Sequence, residues 1–347
     1  MKRILMMTMF AALFCGCGNG QNKSAVNTVG VNEFAEIMCR NDVRLIDVRT
    51  PNEFAEGHLF GAENIYVKDS LFAERIKGIE GEVAVYCRGG RRSLKAAEML
   101  AKQCGTVYNL DGGILAWQKA GKPTTTVETD VFATTGGRLV KLHALLHASI
   151  CIEHDGRVIY VDPVTQLRGR TVDYSTMPKA DIILVTHEHP DHYDTAALRL
   201  LTTDKTQLIM NPRCVELYGR GQAMKNGDKQ PLAGGGTLAA VPAYNTTAEH
   251  LQFHPKGRDN GYILTFDGLC IYIAGDTEDI PEMADIKDID IAFLPCNQPF
   301  TMTPDQLVRA AKTVQPKVLF PYHYGETDIS GIPAQLPGID VRIRHYE

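Results

Sequence analysis

The stretch His187-Glu188-His189-Pro190-Asp191-His192 sets imidazoles and carboxylates side by side directly after the apolar run Ile182 to Val185. Neutral imidazole nitrogen and carboxylate oxygen suit borderline divalent ions such as zinc, and a tight turn at a strand end aims alternate side chains at one point. On that geometry His187 and His189 face one ion, and Asp191 and His192 face a second. Core filling is a poor alternative, because burying such groups unpaired is costly; a solvated polar loop is the other. A pair of bound ions would acidify a bridging water and polarise the carbonyl or phosphoryl oxygen it attacks, with Asp191 placed to orient that water.

A second constellation surrounds Cys87. It follows the strand-like run Glu82 to Tyr86 and opens Cys87-Arg88-Gly89-Gly90-Arg91-Arg92-Ser93, after which Leu94, Ala97, Leu100 and Ala101 recur at helical spacing. Glycines let the backbone curl so that its N–H groups point inward, and the helix N-terminus and three arginines add positive charge. All of these favour thiolate over thiol. Cys87 is therefore a candidate nucleophile, with Arg88 and Arg92 as its cations and Gly89, Gly90 and Arg91 completing the loop. Cys39, Cys104, Cys151, Cys214, Cys270 and Cys296 lack the dense spacing of a disulfide scaffold, and most sit in apolar runs where cysteine acts as a small hydrophobe.

The histidine motif after its strand resembles the metallo-β-lactamase fold. Ile271-Tyr272-Ile273-Ala274-Gly275-Asp276-Thr277 looks like that family's bridging-aspartate motif, and Pro321-Tyr322-His323-Tyr324 is similar to its last histidine motif. The resemblance runs from about Gly137 to the C-terminus. It implies an αββα sandwich with ligands on loops at one edge: His187 and His189 on the first metal, Asp191, His192 and His323 on the second, and Asp276 bridging, with two zinc or manganese ions as cofactors. His147-Ala148-Ser149 and Asp162-Pro163 resemble the branch that includes the ascorbate-phosphate lactonase and the phospholipase that cleaves N-acyl ethanolamine phospholipids, and His147 is placed to donate to a developing oxyanion. Where many relatives carry a histidine, after the strand Leu238 to Val241, this chain has Pro242-Ala243-Tyr244-Asn245. Either Asn245 or His254 then completes the first metal, and His254 is preferred; His250 is a weaker candidate.

The cysteine loop resembles the rhodanese family. Leu45-Ile46-Asp47-Val48-Arg49, Glu53 to His58, Gly61 to Ile65 and Leu110 to Trp117 match its pattern in order, over about Val26 to Pro123. The resemblance implies an open parallel sheet with flanking helices, and a Cys87 persulfide cradled by the loop from Cys87 to Arg92. A thiol or cyanide would accept the sulfur. Asp47, Arg49 and His58 look like scaffold ion-pair and hydrogen-bond residues, and only one copy of the pattern is present.

These motifs need two frameworks. With 347 residues and 44% hydrophobic content, the chain has room for two ordinary cores. The domains are expected at 25–123 and 138–347. A linker at 124–137 separates them, legible in Gly121-Lys122-Pro123 and Thr134-Thr135-Gly136-Gly137. Strands are expected at Val158 to Val161, Leu208 to Met210, Tyr262 to Phe266, Ile271 to Ile273, Ile289 to Leu294 and Val318 to Phe320. Helices are expected at Thr195 to Leu201 and Pro304 to Val314, with Asp194 and Thr303 as N-caps. Residues 1–24 read as an export signal and tether: Met1-Lys2-Arg3 is positive, Ile4 to Phe14 is too short to span a bilayer, and Gly16-Cys17 resembles a bacterial lipoprotein ending. Lipid on Cys17 would hold the protein at the membrane of the bacterial envelope. A formal charge of -5 with no basic stripe argues against a nucleic-acid partner and leaves a small-molecule substrate. The expected whole is an exported enzyme pairing sulfur transfer with metal-dependent hydrolysis of an ester, lactone or phosphodiester. The alternatives are a rhodanese-fused persulfide dioxygenase with one iron, or a persulfide-sensing carrier whose metal domain is inert.

Overall fold

The computed structural model describes residues 25–232 and 235–346. The expected signal and tether, with Cys17, lie outside the described residues. Strands β1 (Ala25–Val29), β2 (Val43–Asp47), β3 (Glu63–Asn64), β4 (Glu82–Tyr86) and β5 (Thr106–Leu110) form one parallel sheet in the order β1-β5-β4-β2-β3. The central strand β4 is buried on both faces and reads as a continuous apolar run from Val83 to Tyr86, the usual pattern of a parallel sheet between helices. Helices α1 (Val31–Met38), α2 (Pro51–Ala55), α3 (Phe72–Arg75), α4 (Arg91–Leu100) and α5 (Gly113–Lys119) supply the covers. Phe34, Ile37, Phe54, Ile114 and Trp117 pack one face, and Phe72, Ala96, Ala97 and Leu100 pack the other. Helix α4 begins three residues before its apolar periodicity, because Gly90 takes a left-handed φ of 87° and turns the cysteine loop straight into the first helical turn.

The second domain is a sandwich of two seven-stranded sheets. The first joins β6 (Glu128–Ala133), β7 (Leu139–Leu146), β8 (Ser149–His154), β9 (Arg157–Val161), β12 (Ile182–Val185), β13 (Gln207–Met210) and β14 (Gln222–Ala223), with a small hairpin of β10 (Gln166–Leu167) and β11 (Arg170–Thr171) beside it. The other joins β15 (Lys229–Pro231), β16 (Thr237–Ala243), β17 (Asp259–Phe266), β18 (Leu269–Ile273), β19 (Ile291–Pro295), β20 (Val318–Tyr322) and β21 (Asp340–Val341). In each sheet an antiparallel meander continues into parallel strands. The core between the sheets takes alternate residues such as Ile150, Ile152, Ile159, Leu264, Ile271 and Phe293. Helices α6 (Thr195–Leu201) and α7 (Pro212–Tyr218) cover the first sheet, and α8 (Pro304–Val314) and α9 (Ile332–Gln335) the other. Both expected caps are made: Asp194 accepts from the Ala196 and Ala197 amides, and Thr303 forms a capping box with Gln306.

The expected linker at 124–137 is a correction. Residues Glu128–Ala133 are β6, paired along β7 from Glu128↔Ala144 to Ala133↔Leu139. Its polar start and the flanking glycine run hide a strand whose Thr129 and Asp130 are buried and partnered by His143 and by Arg342 and Arg344. The connection proper is shorter still, because Thr125 bridges to His58 in antiparallel fashion and the His58 ring lies 2.8 Å from the Val127 carbonyl.

Candidate functional site

The loops that leave the ends of β7, β9, β12, β16, β18 and β20 meet at one edge of the sandwich. Asp162, directly after β9, organises the histidine turn. Its Oδ1 accepts from the Thr186 amide at 2.7 Å, its Oδ2 accepts from Thr186 Oγ1 at 2.7 Å, and His192 Nδ1 lies 2.8 Å from the same Oδ2. One buried carboxylate thus ties both ends of the turn, and His192 Nε2 is left facing inward. Thr186 Oγ1 orients His187 in the same way, 2.9 Å from its Nδ1. The sequence reading missed this role of Asp162. Its signals were the Asp162-Pro163 motif and an acid at the end of an apolar strand, neither of which points to the histidine turn.

His187, His189 and His254 bring ligand-capable atoms within 4.8 Å of one another. His254 reaches them because the chain after β16 loops out and returns at β17, where Asp259 Oδ2 lies 3.0 Å from His254 Nδ1. Arg258 clamps that carboxylate through Nε and Nη2 at 2.6 and 2.8 Å. Asn245 does different work: its amide donates to the His254 carbonyl at 2.9 Å, and its Nδ2 donates to the His250 carbonyl at 3.3 Å, so it shapes the loop. His250 stands outside the group, 3.2 Å from Glu278 Oε1. Glu278, two residues after Asp276, also accepts from the amides and hydroxyls of Thr246 and Thr247. These donors hold its carboxyl at about 2 against its burial.

A second group contains Asp191, His192, His323 and also His147. His147 and His323 both take left-handed backbone, at φ 57° and 51°, and their rings lie 3.7 Å apart. Such conformations in non-glycine residues are strained and concentrate at sites that over-determine them. His147 Nε2 is 3.3 Å from Asp191 Oδ2, so its ring stands among the donors of this group. Asp276 lies between the groups. Its Oδ1 is 3.2 Å from His192 Nε2, and its Oδ2 is 3.2 Å from His323 Nε2 and 3.4 Å from His254 Nε2.

The donors fit cations. His192 Nε2, His254 Nε2, His323 Nε2 and Asp276 Oδ1 are buried without hydrogen bonds, a costly arrangement that a bound ion relieves. Burial and the neighbouring His192 keep His187 neutral, far below the ordinary imidazole range. Against burial, Asp276 and Asp162 raise His192 well above that range, while Asp276 and Asp191 lift His323 to about 9. Despite burial, His192 and His323 hold Asp276, and His147 and His323 hold Asp191, far below the usual carboxylate range. A divalent ion binds imidazole in its deprotonated form, so it would compete with protons at His192 and His323.

Cys87 sits at the end of β4, 1% exposed, with Ser93 Oγ 3.4 Å from its sulfur. Burial alone would raise the thiol; Ser93 and the amides of Ser93, Gly89 and Gly90 bring it below its ordinary value. Helix α5 braces the loop through Ile114 N to the Cys87 carbonyl at 2.9 Å and Leu115 N to the Arg88 carbonyl at 3.2 Å. Gly113 has to be glycine: its φ is 59° and a Cβ there would collide with the Cys87 carbonyl. Arg92 pairs with both oxygens of Glu53 at 2.7 Å, whereas Arg88 and Arg91 are exposed. Of the three loop arginines, Arg92 is therefore the one fixed beside the sulfur. Asp47 and Arg49 form a buried bidentate pair at the end of β2.

The β-lactamase superfamily domain model matches residues 141–323, and the rhodanese-like domain model matches residues 30–120. A solved structure assigned as a metal-dependent hydrolase, from Parabacteroides distasonis ATCC 8503, is 49% identical with a TM-score of 0.62, covering 64% of this chain and 100% of that one. Igni18, a metallo hydrolase from the archaeon Ignicoccus hospitalis KIN4/I, is 27% identical with a TM-score of 0.51, over 59% of this chain and 94% of its own. A UPF0173 metal-dependent hydrolase from Geobacillus sp. (strain WCH70) is 31% identical over 190 residues, 51% of this chain and 82% of the relative. Relatives aligned over most of their own length, together with a family model that spans the sandwich from β7 to His323, lead to one assignment: the chain belongs to the β-lactamase superfamily, and a rhodanese-like domain precedes its sandwich.

Proposed function

We propose that the protein is a metal-dependent hydrolase of an ester, lactone or phosphodiester that also carries sulfane sulfur on Cys87. The placement of Asp276 carries the first half: its two oxygens face histidines of two separate groups, the arrangement that a bridging ligand requires. His187, His189 and His254 would hold one ion and Asp191, His192 and His323 the other, with zinc or manganese suiting these donors. Bound there, the ions would supply Lewis acidity toward the scissile carbonyl or phosphoryl oxygen and make an attacking water acidic near neutral pH. Asp191, whose side chain is 32% exposed, is the carboxylate of the centre that reaches solvent and can orient that water. His147 beside it is placed to donate to the developing oxyanion.

In the first domain, the Cys87 thiolate would attack the sulfane sulfur of thiosulfate or a persulfide, breaking the donor's S–S bond and releasing sulfite or a thiolate. The outer sulfur of the resulting persulfide then passes to cyanide or a thiol, which restores the thiolate. Arg92 and the loop amides stabilise the negative charge throughout. Export and a lipid anchor on Cys17 complete the reading, supported by the composition of residues 1–24.

Elemental analysis and assays on the full chain test this together. Two zinc or manganese ions are expected at this centre, beyond any ion bound elsewhere in the chain. Turnover of a panel of esters, lactones and phosphodiesters should fall with His187→Ala or His323→Ala, and thiosulfate-to-cyanide transfer should be abolished by Cys87→Ser. A single iron with oxygen uptake on adding a persulfide would establish the dioxygenase instead. Metal without turnover, alongside sulfur transfer, would establish the carrier.

A further inference from the structure

Outside both centres, the face of the first sheet turned toward the rhodanese-like domain carries a third cluster of donors. His143 on β7 pairs directly with Cys151 on β8, and Glu153 lies two residues further along β8 on the same face. Directly opposed residues on neighbouring strands have Cβ atoms roughly 5 Å apart, so one such pair plus the next same-face position makes a tripod over the sheet. Here His143 Nδ1 or Nε2, Cys151 Sγ and a Glu153 oxygen lie within 4.8 Å of one another.

Three features aim the tripod at a ligand. Thr129 Oγ1 lies 2.8 Å from His143 Nδ1 and so directs Nε2 into the cluster. That Nε2, on a side chain with 0% exposure, makes no hydrogen bond of acceptable geometry, although Glu153 Oε1 is 3.4 Å away. Phe60, from the other domain, stacks on the His143 ring at 4.5 Å and covers the group. An entry path is present as well: Glu153 is 27% exposed and, with Lys141, Phe60, Gly156 and Pro178, lines a cavity of about 250 Å³ between the domains. Lys141 approaches the other carboxylate oxygen, Oε2, at 4.0 Å and leaves Oε1 facing the imidazole.

We propose that His143, Cys151 and Glu153 bind a zinc-class divalent ion at the domain junction, with a water from the cavity as the remaining ligand. The mixed nitrogen, sulfur and oxygen donor set matches that class of ion. Binding replaces the Cys151 S–H proton, which leaves to solvent, with a metal–thiolate bond, and no oxidant or reductant is needed. The ion would sit under Phe60, so occupancy stiffens the contact that holds the domains together.

The thiolate gives this site a signature that the hydrolytic centre, built from imidazole and carboxylate alone, cannot produce. Full-length Cys87→Ser protein, stripped of metal and titrated with Co²⁺ under reducing conditions, should show a near-ultraviolet thiolate-to-cobalt charge-transfer band. The band should survive Cys39→Ser and disappear in Cys151→Ser. Glu153→Gln, at a position 27% exposed, should weaken the Co²⁺ affinity of that band by more than about a hundredfold, beyond the loss typical of an outer-shell partner. A Cys87→Ser protein without the band, or a band that persists in Cys151→Ser or is unmoved by Glu153→Gln, overturns the proposal. None of these outcomes depends on whether the other centre hydrolyses anything.

Discussion

His254 and Asn245 differ by one loop yet have separate duties, and the difference is measurable. His254→Ala should weaken the first ion as strongly as His187→Ala, because its Nε2 points at Asp276 and no other described side chain substitutes. Asn245→Ala removes only the Nδ2 bond to the His250 carbonyl, so metal affinity should fall by about tenfold or less. Metal-buffered titrations of the two variants check this; equal losses would place Asn245 among the ligands. At Cys87 the prediction concerns pH. Ser93 and the loop amides depress the thiol, so thiolate persists below the ordinary thiol range and sulfur transfer should decline only as pH falls through that depressed value. Ser93→Ala removes one stabiliser of the thiolate and should move the acid limb of the rate profile to higher pH. An unmoved limb would show that the amides and helix α4 suffice.

Among elements, the loop between β16 and β17 depends on a residue outside it. Glu278 gathers two amides, two hydroxyls and the His250 ring, so it staples the His254 loop to the strand end that carries Asp276. In Glu278→Ala these donors lose their common acceptor, at a cost of about 1–3 kcal/mol for each one left buried. The expected outcome is a lower melting temperature and a first-ion affinity reduced by roughly ten- to a hundredfold, with the His323 side little changed. Isotope-labelled histidine resonances or stepwise metal titration would separate the two sites; loss of both ions together would make Glu278 a general stability residue. Helices α6 and α8 lie where Asp194 and Thr303 precede apolar periodicity, because a cap and a buried stripe are both local properties.

For the whole molecule, helix α2 and the end of β3 share one groove with the start of β6 and with Arg344, while the starts of β2 and β4 share another with the end of β6 and the start of β7. Since β6 and β7 are antiparallel, β4 and β7 point the same way. The cysteine loop and the His147 turn therefore open on the same side of the domain junction. Among the described residues no helix is long and apolar enough to cross a membrane. Growth with a radioactive fatty acid should label the wild-type protein in the membrane fraction, and Cys17→Ala should abolish the label; an unlabelled wild type would leave ordinary secretion or a cytosolic location.

The sequence by itself determined both fold families, the strand before each reactive turn, and the local chemistry of Cys87 and of His187 to His192, because these rest on short-range spacing and propensity. Tertiary structure alone decided that His254 and not Asn245 joins His187 and His189, that His147 stands beside Asp191, and that Asp162, Asp259 and Glu278 orient the loops. It also decided that residues 128–133 are a strand and that His143, Cys151 and Glu153 meet. Each of these depends on strand register and on where long loops close. Register is set by the pairing partner and by the core that must be buried, and neither is written in the residues that do the meeting.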